Sequence, residues 1–88
     1  MEWKIDLSDD AKDDLANVGT AEARRILKFL NDRVRQRDNP RSIGEALTGS
    51  LAGLWRYRVG NYRIVCEIQD QKVVVLVVRI GHRSKIYK

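Results

Sequence analysis

Leu54 to Ile68 reads LWRYRVGNYRIVCEI, two alternating runs on either side of Gly60-Asn61. A Gly-Asn step between alternating segments marks a two-residue hairpin turn. Closing the chain there sets Val59 opposite Tyr62. Counting back pairs Arg58 with Arg63, Tyr57 with Ile64, Arg56 with Val65 and Trp55 with Cys66. Successive side chains of a strand point to opposite faces. Trp55, Tyr57, Val59, Tyr62, Ile64 and Cys66 therefore share an apolar face suited to a core, while Arg56, Arg58 and Arg63 share the other.

The flanking segments extend this hairpin into a sheet. KVVVLVVRI (72–80) is a third strand, joined through Asp70-Gln71, which reads as a second two-residue turn. That register adds Val65, Val74, Leu76 and Val78 to the arginine face. Apolar residues on both faces of the last strand require it to be central or covered. At the other end, Trp3, Ile5 and Leu7 alternate with charged residues as in a half-buried strand. Ser8 is placed to cap a short helix that begins with Asp9 and Asp10 and stops at Gly19. Thr20 is placed to cap a longer helix over Ala21 to Arg37, with Ala23, Ile26, Leu27, Leu30 and Val34 on its buried stripe. Arg41 to Gly53 is punctuated by glycine and reads as a loop with one helical turn, and Gly81 reads as the end of the last strand. The order β-α-α-β-β-β predicts an α+β two-layer fold. An antiparallel β-meander, with an N-terminal strand added, carries two helices on one face. With 88 residues the chain is expected to form one domain over residues 1–88.

Composition narrows the class of protein. A content of 43% hydrophobic and 33% charged residues is that of a folded chain. The single cysteine, Cys66, excludes an internal disulfide framework and points to a reducing compartment. The acidic, mixed opening MEWKIDLSDD does not read as a signal peptide, and the apolar run Val73 to Val78 is too short to span a bilayer. The expected location is the cytoplasm, with no membrane partner. Net charge divides sharply. Residues 1–50 carry nine Lys/Arg against ten Asp/Glu, whereas residues 51–88 carry eight against two. A polyanionic partner and a solubilising basic surface are both compatible with that asymmetry.

Register is more specific than net charge. Like charges directly opposite one another destabilise a strand pair, yet Arg58 faces Arg63 with Arg56 close by. Guanidinium groups suit phosphate because their planar fork donates two parallel hydrogen bonds and stays charged. The chain closes on RIGHRSKIYK, which holds the sole histidine, His82, together with Arg83, Lys85, Tyr87 and Lys88. This tip is expected near the arginine cluster. One histidine, one cysteine and scattered acids give no metal-ligand spacing, so neither a metal nor another cofactor is expected.

LTGSLAGLWRYRVGNYRIVCEI followed by VVRIGHRSKIYK closely resembles the RelE/ParE superfamily of toxins from type II toxin–antitoxin systems. The resemblance extends over nearly the whole chain and includes the element order. It implies a RelE-like, microbial-RNase-type fold. The superfamily's RelE-like members are ribosome-dependent mRNA interferases that cut mRNA in the 30S A site, inhibit translation and arrest growth. Its ParE-like members inhibit DNA gyrase on the same fold. The nuclease pattern comprises two basic residues before the hairpin turn, an Arg after it, an Arg beyond the last strand and a Tyr near the C-terminus. The matching positions here are Arg56 and Arg58, then Arg63, Arg83 and Tyr87. The first two are lysines in the best-known relative, which is a departure.

The resemblance therefore implies a metal-free endoribonuclease with catalytic residues Arg56, Arg58, Arg63, Arg83 and Tyr87. His82 is an alternative acid/base. Arg56, Arg58, Arg63, Lys85 and Lys88 are implied RNA contacts. Expected partners are the ribosome, mRNA and a cognate antitoxin that carries a DNA-binding domain. A ParE-like gyrase inhibitor and a non-catalytic nucleic-acid-binding module are the other readings.

Overall fold

The computed structural model describes residues 2–82. Five strands form one sheet in the order β1-β5-β4-β3-β2. They are β1 (Lys4–Leu7), β2 (Glu45–Ala46), β3 (Trp55–Val59), β4 (Tyr62–Gln69) and β5 (Val74–His82). β1 runs parallel to β5, and the remaining pairs are antiparallel. Two helices, α1 (Asp9–Val18) and α2 (Thr20–Phe29), follow β1. Ile26, Leu30 and Val34 from the helical layer pack in one core with Tyr57, Ile64, Cys66, Val75, Val77 and Ile80 from the sheet. The α+β expectation holds, and β5 is apolar on both faces because it lies between β1 and β4.

Local chemistry accounts for most of these boundaries. The Ser8 hydroxyl accepts from Ala11 N–H at 3.0 Å and caps α1, whose first turn carries Asp9 and Asp10. Gly19, with φ 95°, both ends α1 and starts α2. Ala23 N–H bonds to the Gly19 carbonyl, so Thr20 is already the first helical residue and does not serve as the cap.

The second helix also ends differently from its sequence pattern. After Phe29 it widens into a π-turn over Leu30–Val34, closed by Arg35 N–H to the Leu30 carbonyl at 2.8 Å. The chain leaves the helix at Arg35, whose carbonyl accepts from Trp3 N–H at 2.8 Å, and the Trp3 indole donates to the Asp38 carbonyl. These bonds tie β1 to the end of the helix. Leu27, expected in the buried stripe, is 43% exposed. It lines a groove of about 530 Å³ with Trp3, Ile5 and Leu30, beside the sheet's β1 edge.

Two further sequence expectations change. The stretch 41–53 contains β2, which pairs with β3 through Glu45↔Arg56 and Ala46↔Trp55. Gly44, with φ 84°, lets the backbone lie against β3, and Trp55 Nε1 donates to the Ile43 carbonyl at 2.8 Å. The turn after β4 takes four residues, a 3₁₀ turn over Asp70–Lys72 followed by Val73 in the left-handed region at φ 56°. Gln69 therefore pairs with Val74, two residues further along than a two-residue turn would give. A shift of two preserves the faces, so Val74 and Leu76 stay on the arginine side. β5 also continues through Gly81, because His82 pairs with Tyr62.

A Cβ on Gly44 would lie 2.5 Å from both the Arg56 carbonyl and Trp55 Nε1. Left-handed strain at a non-glycine residue adds about 1–3 kcal/mol. Gly44→Ala should therefore lower urea-unfolding stability by at least about 2 kcal/mol and detach β2. A variant with wild-type stability would show that β2 does not depend on this close approach.

Candidate nucleic-acid interface

The β3–β4 register is the one that the Gly60-Asn61 turn predicts, from Trp55↔Cys66 to Val59↔Tyr62. Gly60 adopts φ 58°, which fits a hairpin turn with glycine at its first central position. Trp55, Tyr57, Val59, Ile64 and Cys66 face the helices. Tyr57 is buried, packs at a 6.0 Å centroid distance from Phe29 and donates its hydroxyl to the Pro40 carbonyl at 2.6 Å. Strand alternation then places Arg56, Arg58 and Arg63 on the opposite face, with Arg58 directly across from Arg63. A buried aromatic anchor and a basic outer face are thus two consequences of one register.

The arginine face also holds an acid. Glu45 is the partner of Arg56 across β2 and β3, and its Oε2 accepts from Arg56 Nη2 at 2.5 Å. The Arg56 side chain is only 17% exposed, so this ion pair is partly desolvated. Reading 41–53 as a loop hid Glu45. An alternating glutamate just after a glycine was the only local signal, and two residues are too few to establish a strand period. Val65 belongs to the same face by alternation, yet it is only 4% exposed. The face therefore combines guanidinium groups with covered apolar surface.

Two further arginines are engaged by carboxylates. Arg41 makes a two-pronged pair with Asp70 at 2.8 and 2.9 Å, which holds the Asp70 carboxyl below its usual range and raises Arg41. Arg79 pairs with Asp14 at 3.0 Å. Burial pushes the Cys66 thiol and the Tyr57 phenol well above their usual ranges, so neither is suited to act as a nucleophile or base.

His82 is not brought onto the arginine face. It lies across from Tyr62, with its ring edge-on to the Tyr62 ring at 5.8 Å and an interplanar angle of 83°. Arg83, Lys85, Tyr87 and Lys88 lie outside the described residues. Among the described residues no group of three His, Cys, Asp or Glu side chains is placed to hold a metal ion. No described helix is long and apolar enough to cross a membrane.

Comparison with known proteins connects this geometry to a family. The model for the ParE toxin of type II toxin–antitoxin systems matches residues 5–87. Toxin RelG of Mycobacterium tuberculosis is 28% identical over 89 residues, covering all of this chain and 99% of that relative. The toxin–antitoxin complex RelBE2 from the same organism contains a chain that superposes with a TM-score of 0.86. It is 24% identical, and the match covers 97% of this chain and 95% of that one. The archaeal RelE–RelB complex from Pyrococcus horikoshii gives a TM-score of 0.71 at 25% identity, covering 97% and 99% of the two chains.

Glu45→Gln removes the carboxylate charge that now pairs with Arg56, which increases the net positive charge of this face by one. The log–log salt dependence of binding to single-stranded RNA should steepen by about 0.7, measured by fluorescence anisotropy across a salt series. An unchanged slope would show that this face makes no phosphate contact at Arg56.

Proposed function

The chain belongs to the ParE toxin family of type II toxin–antitoxin systems, within the RelE/ParE superfamily, and from that premise we propose that it is a ribosome-dependent endoribonuclease. Its substrate is mRNA in the ribosomal A site, and its action inhibits translation in the cytoplasm. The observation that carries this reading is the three-arginine face, with Arg58 directly opposite Arg63. Folding alone disfavours that pairing. A bound phosphate reverses the sign of the interaction, since each guanidinium then faces an anion.

The proposed chemistry uses the RNA's own 2′-hydroxyl. Tyr87 takes the 2′-OH proton, and the 2′-oxygen attacks the adjacent phosphorus. The bond from phosphorus to the 5′-oxygen breaks, and that oxygen takes up a proton delivered at Arg83 and replenished from water, leaving a 2′,3′-cyclic phosphate and a 5′-hydroxyl. Unperturbed tyrosine titrates at about 10, and neighbouring cations favour its phenolate form. Arg56, Arg58 and Arg63 stabilise the charge that develops on the phosphate. Arg83 binds the scissile phosphate and its leaving oxygen, with Lys85 and Lys88 on the RNA backbone. The edge-on contact of His82 with Tyr62 favours Arg83 over His82 at the leaving oxygen. The ribosome supplies substrate orientation that a cluster of guanidinium groups lacks.

Control of the toxin falls to a cognate antitoxin. The structurally similar chains from M. tuberculosis and P. horikoshii were solved in complexes with their antitoxins. A partner of the same kind, bearing a DNA-binding domain, is proposed here.

Primer extension on programmed ribosomes tests the nuclease reading. The wild-type protein should cut within the A-site codon, and Arg83→Ala or Tyr87→Phe should slow cleavage by about 10²-fold or more. Undiminished cleavage by both variants would remove their assigned roles. The family model's description as a ParE toxin favours a second reading, inhibition of DNA gyrase. Intact mRNA together with blocked supercoiling would select that reading.

A further inference from the structure

β5 contains an extra residue where it approaches the arginine face. The ladder with β4 runs from Gln69↔Val74 to Cys66↔Val77 and resumes at Val65↔Arg79, so Val78 has no opposite number. Such a bulge changes which side chains face the core. Before it, Val75 and Val77 belong to the core beneath the helices; after it, Ile80 does. Continuing the first register without the bulge would place Ile80 opposite Arg63 and Arg79 opposite Ile64. The bulge instead buries Ile80, keeps Arg79 out of the core and puts Gly81 across from Arg63. Glycine adds no side chain beside that guanidinium.

Main-chain groups released by a bulge need other partners. Here α1 and its cap supply them. The Ser8 hydroxyl donates to the Val78 carbonyl at 2.9 Å, while Ser8 N–H bonds to the Val77 carbonyl at 2.9 Å. Further along α1, Asp14 Oδ2 accepts from Ile80 N–H at 2.8 Å. The same carboxylate binds Arg79 through Nε at 3.0 Å and Nη2 at 3.3 Å. The Asp14 side chain is only 15% exposed, in keeping with a carboxylate enclosed by its partners. Two polar residues more than sixty positions away in sequence therefore hold both sides of the bulge.

We propose that Ser8 and Asp14 are positioning residues for the arginine face: they fix the bulge in β5 and thereby the register that sets Gly81 across from Arg63. This assignment rests on the nuclease reading for its activity consequence. Its structural consequence, the anchoring of Ile80 and Gly81, stands independently.

The test measures ribosome-dependent cleavage at saturating toxin, ribosome binding and amide hydrogen exchange at Ile80 in the full chain. Asp14→Ala should cut turnover by on the order of 10²-fold, the scale of a misplaced catalytic group, with ribosome affinity unchanged and Ile80 exchanging faster. Asp14→Asn keeps an oxygen acceptor for Ile80 N–H and should recover most of that loss. If Asp14→Ala fails to fold, Ser8→Asp serves in its place. It keeps a capping acceptor for Ala11, loses the hydroxyl donor to Val78 and should lower turnover in the same direction. Wild-type turnover in both Asp14→Ala and Ser8→Asp, or no recovery in a folded Asp14→Asn, would overturn the assignment. Should the wild type cleave no mRNA, the nuclease reading fails and the exchange data decide the anchoring alone. Faster Ile80 exchange in Asp14→Ala then supports it, and unchanged exchange overturns it.

Discussion

Two residues, Gly60 and Asn61, set the register on which the rest of the molecule depends. A two-residue turn allows only one pairing of β3 with β4, and a slip of one position would turn every side chain to the other face. The observed pairing buries Tyr57 and Ile64 under α2 and sends Arg56, Arg58 and Arg63 outward. Core and candidate site are therefore coupled. The driving force that buries Tyr57 and Ile64 also holds Arg58 and Arg63 together against their repulsion. Burying a large apolar side chain stabilises by about 1.5–3 kcal/mol, whereas an opposed like-charge pair on an open sheet face costs less than about 1 kcal/mol. The core term prevails, and the sheet presents a cationic face at small expense.

Carboxylates distribute the remaining charge by long-range pairing. Glu45 meets Arg56, Asp70 meets Arg41 and Asp14 meets Arg79. Each pair joins a segment outside the β3–β5 meander, or the turn within it, to a neighbouring element. Glu45 fixes the short β2 edge, Asp70 fastens the loop after α2 to the β4–β5 turn, and Asp14 joins α1 to β5. The Arg41–Asp70 pair is exposed on both sides and contributes little, whereas Arg56 and Asp14 are each largely covered. Together they specify which segments lie side by side.

Legibility in the sequence followed the range of the interactions. The first hairpin was readable because alternation and a Gly-Asn turn are local signals, and its register is reproduced residue for residue. The second hairpin kept its faces but not its pairing, since a β-branched Val73 in the left-handed region is not a residue that turn chemistry predicts. The end of α2 was misread because Trp3, from the far end of the chain, draws off the Arg35 carbonyl. β2 was too short to show a period, and Glu45 was missed with it. The bulge could not be read locally at all, because Ser8 and Asp14 supply its partners. That same bulge puts His82 opposite Tyr62 rather than beside the arginines. Of the candidate site, Arg56, Arg58 and Arg63 were legible from register. Arg83, Lys85, Tyr87 and Lys88 rest on family resemblance.

The proposed chemistry depends on the substrate's own 2′-hydroxyl, and a single atom can test it. Ribosomes are programmed with mRNA whose A-site codon carries one 2′-deoxynucleotide on the 5′ side of the scissile bond. Cleavage at that bond should fall to background while toxin binding to the ribosome persists, and the all-ribose control should yield a 2′,3′-cyclic phosphate. Cutting beside the deoxynucleotide at the ribose rate would contradict the mechanism.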